Sequence, residues 1–327
     1  MNKLLVFFEQ RDGVVKKTSI ETWNRVQELA AALNDTTVEG LIAGPADTRQ
    51  LEGCLAGKGV IYQSSEEGLK LYNQESYLRL IGNILNRETF SSLFFADSAL
   101  SRDLAPRLSV RFQASLLSGC LHFNQSDASG GCSRTVYSGS AMASFKPERT
   151  LRIYTIPSRR SMSVSSVDNH IEFVTLQPLQ ISAEGLYPAV SRIIMRSGIL
   201  DVAEADIIVS GGRGMGSREG FALLEQLAAL LGGAVGASRT AVDEGWRPHS
   251  EQIGQTGKTV APALYVACGI SGAVQHLAGI GSAGIVVAVN SDRDAPIFNV
   301  ADYGIVGDVH VVLPKLIDAV QDFLKTK

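Results

Sequence analysis

Four segments in the C-terminal half carry residues whose types and spacing suit chemistry. Gly211-Gly212-Arg213-Gly214-Met215-Gly216 lies between an apolar run and a helical pattern, as a phosphate-binding turn would. Glycines there let backbone N–H groups approach an anion, and Arg213 adds a charge-assisted contact. The spacing departs from G-x-G-x-x-G, because Ser217 stands where the last Gly belongs. A plain tight turn would use the same glycines. Gln255-Thr256-Gly257-Lys258-Thr259 invites comparison with a triphosphate-binding P-loop. That pattern needs Gly where Gln252 stands, and Pro262 falls where its helix should run, so the comparison fails. Gly269-Ile270-Ser271-Gly272-Ala273 is spaced like a nucleophile elbow, except for Ala273 at the last Gly position. Ser271, Asp308 and His310 follow the chain order of a hydrolase triad, although no H-G-G-G segment precedes them. Ser238-Arg239-Thr240-Ala241-Val242-Asp243 follows another apolar run, and Arg239 is either a surface charge or a charge fixed over a cleft. Besides a cofactor site, two readings stay open from these residues: a serine hydrolase using Ser271, and a nucleotide-binding regulatory module without redox chemistry.

Each segment follows a short apolar run, and those runs define the frame that positions it. Ile207-Ile208-Val209, Gly233 to Ala237, Leu264 to Ala267, Ile285 to Val289, Ile305-Val306 and Val309 to Leu313 read as strands. Helical spacing runs from Ser217, a plausible N-cap, to Leu231, with Phe221, Leu224, Ala228 and Leu231 on one face. Further helices are expected from near Ser271 and from Pro314 to Phe323. Such an alternation makes a doubly wound sheet, whose ligands sit beyond the carboxyl ends of the strands.

The N-terminal half alternates too. Lys3 to Glu9, Gly40 to Ala43, Gly59 to Tyr62 and Ser91 to Phe95 read as strands, with a turn at Arg11-Asp12-Gly13. Thr22 to Leu33, Tyr77 to Leu85 and Leu104 to Leu117 read as helices. Beyond a Gly/Ser-rich stretch from Phe123 to Gly131, three β segments follow without intervening helices: Arg134 to Phe145, Leu151 to Ile156 and Ile171 to Leu176. An antiparallel edge added to the parallel sheet accounts for them most simply. Ser158-Arg159-Arg160-Ser161 reads as a solvated basic turn. The expected fold is therefore α/β, with two doubly wound units: an N-terminal domain over 1–196 with an added β edge, and a Rossmann-like domain over 197–327.

Composition narrows the classes. The chain has 327 residues, and two domains is the expectation for that length. Apolar residues make up 45% and charged residues 19%, which argues against disorder. A net charge of −3 gives no electrostatic case for nucleic acid. No apolar run approaches the roughly 18 residues of a membrane span, so an integral membrane protein is not expected. The apolar run Leu4 to Phe8 is too short for a signal-peptide core, which suggests a cytoplasmic protein, or a mitochondrial matrix protein already processed. Cys54, Cys120, Cys132 and Cys268 make no C-x-x-C pair, so neither a metal site nor a disulfide scaffold is expected.

The C-terminal motifs, taken together and in order, resemble the FAD domain of the electron-transfer flavoprotein alpha subunit family. They are VSGGRG (209–214), VGASRTAVDEGW (235–246), QIGQTGKTVAPALYVACGISGAVQHLAGI (252–280), VVAVNSDRDAPIF (286–298) and ADYGIVGD (301–308). The opening VFFEQRDGVVKKTSIE, LAPRLSVR (104–111) and RTVYSGSA (134–141) extend the resemblance over nearly the whole chain, less specifically. The resemblance implies one bound FAD, a heterodimer with a beta subunit, and the work of an electron carrier without substrate turnover of its own. Electrons would come from flavoprotein dehydrogenases, including the acyl-CoA dehydrogenases of fatty acid oxidation, and go to a quinone oxidoreductase or another acceptor.

It also implies roles for residues. Arg239 would lie over the isoalloxazine as a constant positive charge, since its guanidinium keeps its proton. Thr256 would bond near N5, within the loop formed by Ile253, Gly254 and Gln255. His276, a residue that without the motif reads as a packing histidine, would lie near the C2 carbonyl, where a donor stabilises reduced flavin. Ser271, Gly272, Ala273, Val274 and Gln275 would approach the ribityl and phosphate region, and Ser238 and Arg213 the pyrophosphate. Asn290, Asp308 and Val309 would meet the adenosine end. Departures from the family pattern fall at Ser291, where Lys is common, at Arg293, where Pro is common, and at Ser217-Arg218-Glu219-Gly220-Phe221, which lacks an Asn. They bear on adenosine contacts more than on flavin binding.

Overall fold

Strand β1 (Asn2–Phe8) buries its last five residues, LVFF among them, as a strand must when helices cover both faces of its sheet. The computed structural model describes residues 2–33, 35–123, 130–137, 141–157, 169–177, 190, 200–281 and 283–325. The chain divides into two compact units, 1–136 with 142–194, and 195–327 with 137–141.

In the first unit a hairpin of β2 (Gln10–Arg11) and β3 (Val14–Val15) turns at Asp12 and Gly13, both at positive φ (51° and 82°). Helix α1 (Lys17–Ala31) packs Trp23, Val26 and Ala30 on one face of the sheet, against Phe8, Val38 of β4 (Thr36–Ile42) and Ile61 of β5 (Lys58–Gln63). Helix α2 (Gln74–Arg87), capped by the Asn73 side chain, covers the other face with Tyr77, Leu80, Ile81 and Ile84. It shares that face with α3 (Ala99–Arg111), which follows β6 (Ser92–Ala96) and starts in a Ser98–Ser101 capping box. The chain continues through β7 (Ser115–Leu117), β8 (His122–Phe123), β9 (Cys132–Val136), β10 (Ala141–Phe145), β11 (Arg152–Ile156) and β12 (His170–Thr175). Among the described residues, seven strands form one sheet in the order β12-β5-β4-β1-β6-β11-β7.

The structure corrects three expectations here. The added strands β11 and β12 pair in parallel with their neighbours, not antiparallel. Parallel neighbours need a long crossover, and a small separate sheet, β10-β9-β8, lies in the connection between β7 and β11 and does the work of a helix. The helix expected to reach Leu117 ends at Arg111, where Gln113 at φ 51° breaks it before β7. Cys120 and Cys132 form a disulfide, with Cα atoms 5.8 Å apart, because the antiparallel β8–β9 register folds them together. The basic turn at 158–161 and the expected boundary at 196/197 lie outside the described residues.

The second unit is a five-stranded parallel sheet in the order β14-β13-β15-β16-β17. Its elements are β13 (Ile207–Gly211), α4 (Phe221–Leu231), β14 (Ala234–Ala237), α5 (Arg239–Asp243), β15 (Leu264–Cys268), α6 (Val274–Ile280), β16 (Ile285–Asn290), β17 (Tyr303–Val306) and α7 (Val309–Lys325). Alternate strand residues face opposite cores. Val209, Val266 and Val289 meet Leu224, Ala228, Leu313 and Ile317 on one side. Ile208, Tyr265 and Ala288 meet Ile253, Ile280 and Ile297 on the other. Two expectations shift. Helix α4 begins at Phe221, and the Ser217 hydroxyl accepts from the Gly220 N–H (3.3 Å) in the turn before it. Val309 to Leu313 is the start of α7 rather than a strand, because Val309, Leu313 and Ile317 form one buried helical stripe.

Candidate functional site

The strand order of the second unit reverses at β13. The next strand in sequence lies on one side of it and β15 on the other. Such a switch point opens a crevice beyond the carboxyl ends of the two central strands. A cavity of about 720 Å³ lies there, walled by the turns after β13, β14, β15 and β16 and by the loop at 253–256. That volume is in the range of cofactor sites.

Backbone contacts hold the turns. A Cβ on Gly212 would sit 2.3 Å from the Gly269 carbonyl oxygen, and one on Gly214 would sit 2.7 Å from the Gly269 Cα. The Gly212 N–H donates to Cys268 O (2.9 Å) and the Gly214 N–H to Gly269 O (3.0 Å). These glycines therefore let two turns pack directly on each other. Gly272 is at φ 86°, and a Cβ there would meet the Ile297 nitrogen at 2.3 Å. The Ile297 N–H donates to Ser271 O at 3.0 Å. Asn290 braces the same turn: its Nδ2 donates to Ile270 O (2.9 Å) and its Oδ1 accepts from the Asp292 N–H (2.9 Å). Its side chain thus lines the cavity with both amide ends already engaged within the protein.

The polar wall is rich in donors. Arg213 is exposed beside the first turn. Arg239 opens α5 and pairs with Asp243 at 3.3 Å, its side chain 68% exposed. Ser238 caps that helix, accepting from the Ala241 N–H at 3.4 Å. Thr256 is exposed at the cavity, and its Oγ1 accepts from Nε2 of the buried Gln252 (2.9 Å). The Gln255 N–H donates to Gln275 O (2.8 Å), which ties the 253–256 loop to the start of α6. Ile253 is itself core. Helix α6 starts without a side-chain cap, so its first N–H groups are open to a ligand.

His276 is a buried polar residue of the wall, 6% exposed. Its Nε2 lies 2.8 Å from the Tyr265 hydroxyl. Its Nδ1 is buried and finds no hydrogen-bond partner among the described residues. Burial pushes the imidazole down to about 4, while the nearby Ile253 carbonyl acts the other way without closing a hydrogen bond. The ring is therefore neutral at pH 7.

All but three of the sequence-derived site residues line this one cavity. The exceptions are Val274, whose side chain is solvent-exposed, Asp308, whose carboxylate caps α7 through the His310 N–H (2.9 Å), and Val309, which is core. Ser271 lines the cavity while Asp308 and His310 do not, so the hydrolase constellation does not assemble around it. The element after Thr259 is strand β15, not the helix a P-loop requires. Sequence reasoning missed Thr240, Asp292 and Ala295 in the lining, and the supports Gln252 and Tyr265 behind it. Gln252 carried no signal beyond its place beside the loop. Tyr265 carried one: a hydroxyl inside an otherwise apolar strand needs a partner.

An orphaned buried nitrogen, two guanidinium groups and an uncapped helix start are all donors, or able to donate. Such a set fits an acceptor-rich dinucleotide. Among the described residues, no group of three or more His, Cys, Asp or Glu is placed to hold a metal ion.

Comparison with known proteins agrees. Residues 4–165 match the family model of the electron transfer flavoprotein domain, and residues 201–281 match that of the electron transfer flavoprotein FAD-binding domain. The chain is 34% identical to the electron transfer flavoprotein subunit alpha of Clostridium acetobutylicum, over 97% of this chain and 96% of that one. It is also 34% identical to the Bacillus subtilis protein of the same name, over 96% of each. A probable mitochondrial electron transfer flavoprotein subunit alpha of Cryptococcus neoformans is 34% identical over 90% of each chain. The fold and cleft are those of a flavoprotein electron carrier's cofactor domain, and the chain belongs to the electron transfer flavoprotein alpha subunit family. FAD is the cofactor that this family's second domain binds.

Proposed function

We propose that the chain holds FAD in the cleft of its second unit and, paired with an electron transfer flavoprotein beta subunit, carries electrons between other proteins without a substrate reaction of its own. The observation that carries this reading is the convergence of Arg213, Arg239, Thr256, Ser271 and His276 on one cavity at the sheet's switch point. Bound there, FAD supplies the redox chemistry. Arg239 contributes a positive charge, and His276 a neutral N–H donor. Thr256, held by Gln252, presents a hydroxyl from the loop facing α6. Ser271 to Gln275 offer backbone N–H groups, and the glycine turns keep side chains out of the anion's path.

Donors to the carrier are flavoprotein dehydrogenases, acyl-CoA dehydrogenases among them, and its acceptor is a quinone oxidoreductase. The N-terminal domain, 1–196, serves the subunit interface and the FAD domain spans 197–327. The carrier works in the bacterial cytoplasm, or in the mitochondrial matrix if a presequence was removed. The relatives' names support the pairing, and no described helix is long and apolar enough to cross a membrane. Anaerobic mixing of the purified complex with a reduced flavoprotein dehydrogenase tests the reading. The visible flavin band of the complex should bleach and return on adding a quinone oxidoreductase. Turnover of a small-molecule substrate by the complex alone would count against it.

A further inference from the structure

Tyr265 does not line the cavity, yet its hydroxyl reaches His276, which does. It is fully buried in the central strand β15, on the sheet face that meets α6. Its hydroxyl lies 2.8 Å from Nε2 of His276, eleven residues on. We propose that Tyr265 is a positioning residue: its O–H donates to Nε2, fixes His276 as the neutral Nδ1–H tautomer, and leaves that N–H to face the cofactor.

Two observations set the direction of the bond. A phenol buried this deeply keeps its proton, since burial raises its pKa, so an O–H is always available to donate. The Ser210 hydroxyl, also buried, lies diagonally across the β13–β15 register, where Ile208 pairs with Tyr265. Its Oγ finds no hydrogen-bond partner among the described residues, so it does not take the phenol's proton. In the opposite tautomer Nε2 would carry the hydrogen, and the Tyr265 proton would need another acceptor. Nδ1 is then a buried N–H without a partner among the described residues, in a residue that lines the cleft. Such a group is costly to leave unmade and is satisfied by a ligand acceptor.

This inference rests on the FAD reading for the identity of the acceptor, and the test separates the two. The complex with its beta subunit is prepared with ring-15N-labelled histidine, as wild type and as Tyr265→Phe, and the imidazole nitrogens are read by NMR. Wild type should show His276 with its proton on Nδ1. Tyr265→Phe should lose that preference, with the proton shared between the two nitrogens, and should lower the flavin reduction potential. A wild-type His276 protonated on Nε2 overturns the proposal. So does a tautomer unchanged in Tyr265→Phe. If Tyr265→Phe does not fold, the wild-type spectrum still decides the direction of the bond. A wild-type complex without visible flavin absorbance overturns the cofactor reading instead, and the tautomer remains readable in it.

Discussion

Arg239 and His276 stand at opposite ends of solvent access, and they are expected to act on different observables. Arg239 is 68% exposed and paired with Asp243. Screening therefore holds its effect on a neighbouring negative charge near about 1 kcal/mol, less than a buried charged contact would give. Arg239→Ala should lower the one-electron potential of the bound flavin by roughly 40 mV. Potentiometric titration checks this, and an unchanged potential removes Arg239 from the site. His276 is buried, and its effect is read in stability. The unfolded chain binds a proton near the ordinary 6.5, the folded chain only near about 4, and Tyr265 is the titratable group in contact with it. The folded state thus refuses a proton that the unfolded state accepts. The contribution is complete above about pH 6.5 and is lost as pH falls from there toward about 4, about 3 kcal/mol in all. Urea midpoints of the apo chain should drop across that window, and His276→Gln should flatten the drop. Equal slopes in the two proteins would contradict it.

At the scale of elements, the cleft is held by turns tied together through backbone. Asn290→Ala removes the donor to the buried Ile270 carbonyl and should cost about 1–3 kcal/mol. Urea denaturation measures the loss, and hydrogen exchange should show faster amides at 269–273. A stability within error of wild type would mean the brace is dispensable. Gly272→Ala should be harsher, because φ 86° is strained for any side chain and the new Cβ would strike the Ile297 nitrogen. Element boundaries also show what the sequence made legible. Apolar runs such as Leu4–Phe8 and Ile285–Val289 marked strands correctly, since strands covered on both faces read that way. Val309–Leu313 misled because its β-branched residues suit a strand, while the i, i+4 stripe through Ile317 placed it in a helix. The parallel setting of β11 and β12 depends on chain far away in sequence, which no local pattern encodes. The lining of the cavity was largely legible through the family resemblance, whereas local pattern alone left Arg239 undecided and made His276 a packing residue. Gln252 and Tyr265 act from behind it, where a polar residue in a core looks like any other until its partner is placed.

For the whole molecule, the cleft lies in the second of the two large sheets, at its switch point. Co-expression with an electron transfer flavoprotein beta subunit, followed by a visible spectrum of the purified complex, tests the central claim most directly. The account predicts a yellow complex carrying FAD in the second unit, with the flavin lost or weakened when Arg239, Thr256 and His276 are replaced together. A complex that stays colourless after FAD is added, or one whose flavin is indifferent to those three residues, would contradict it.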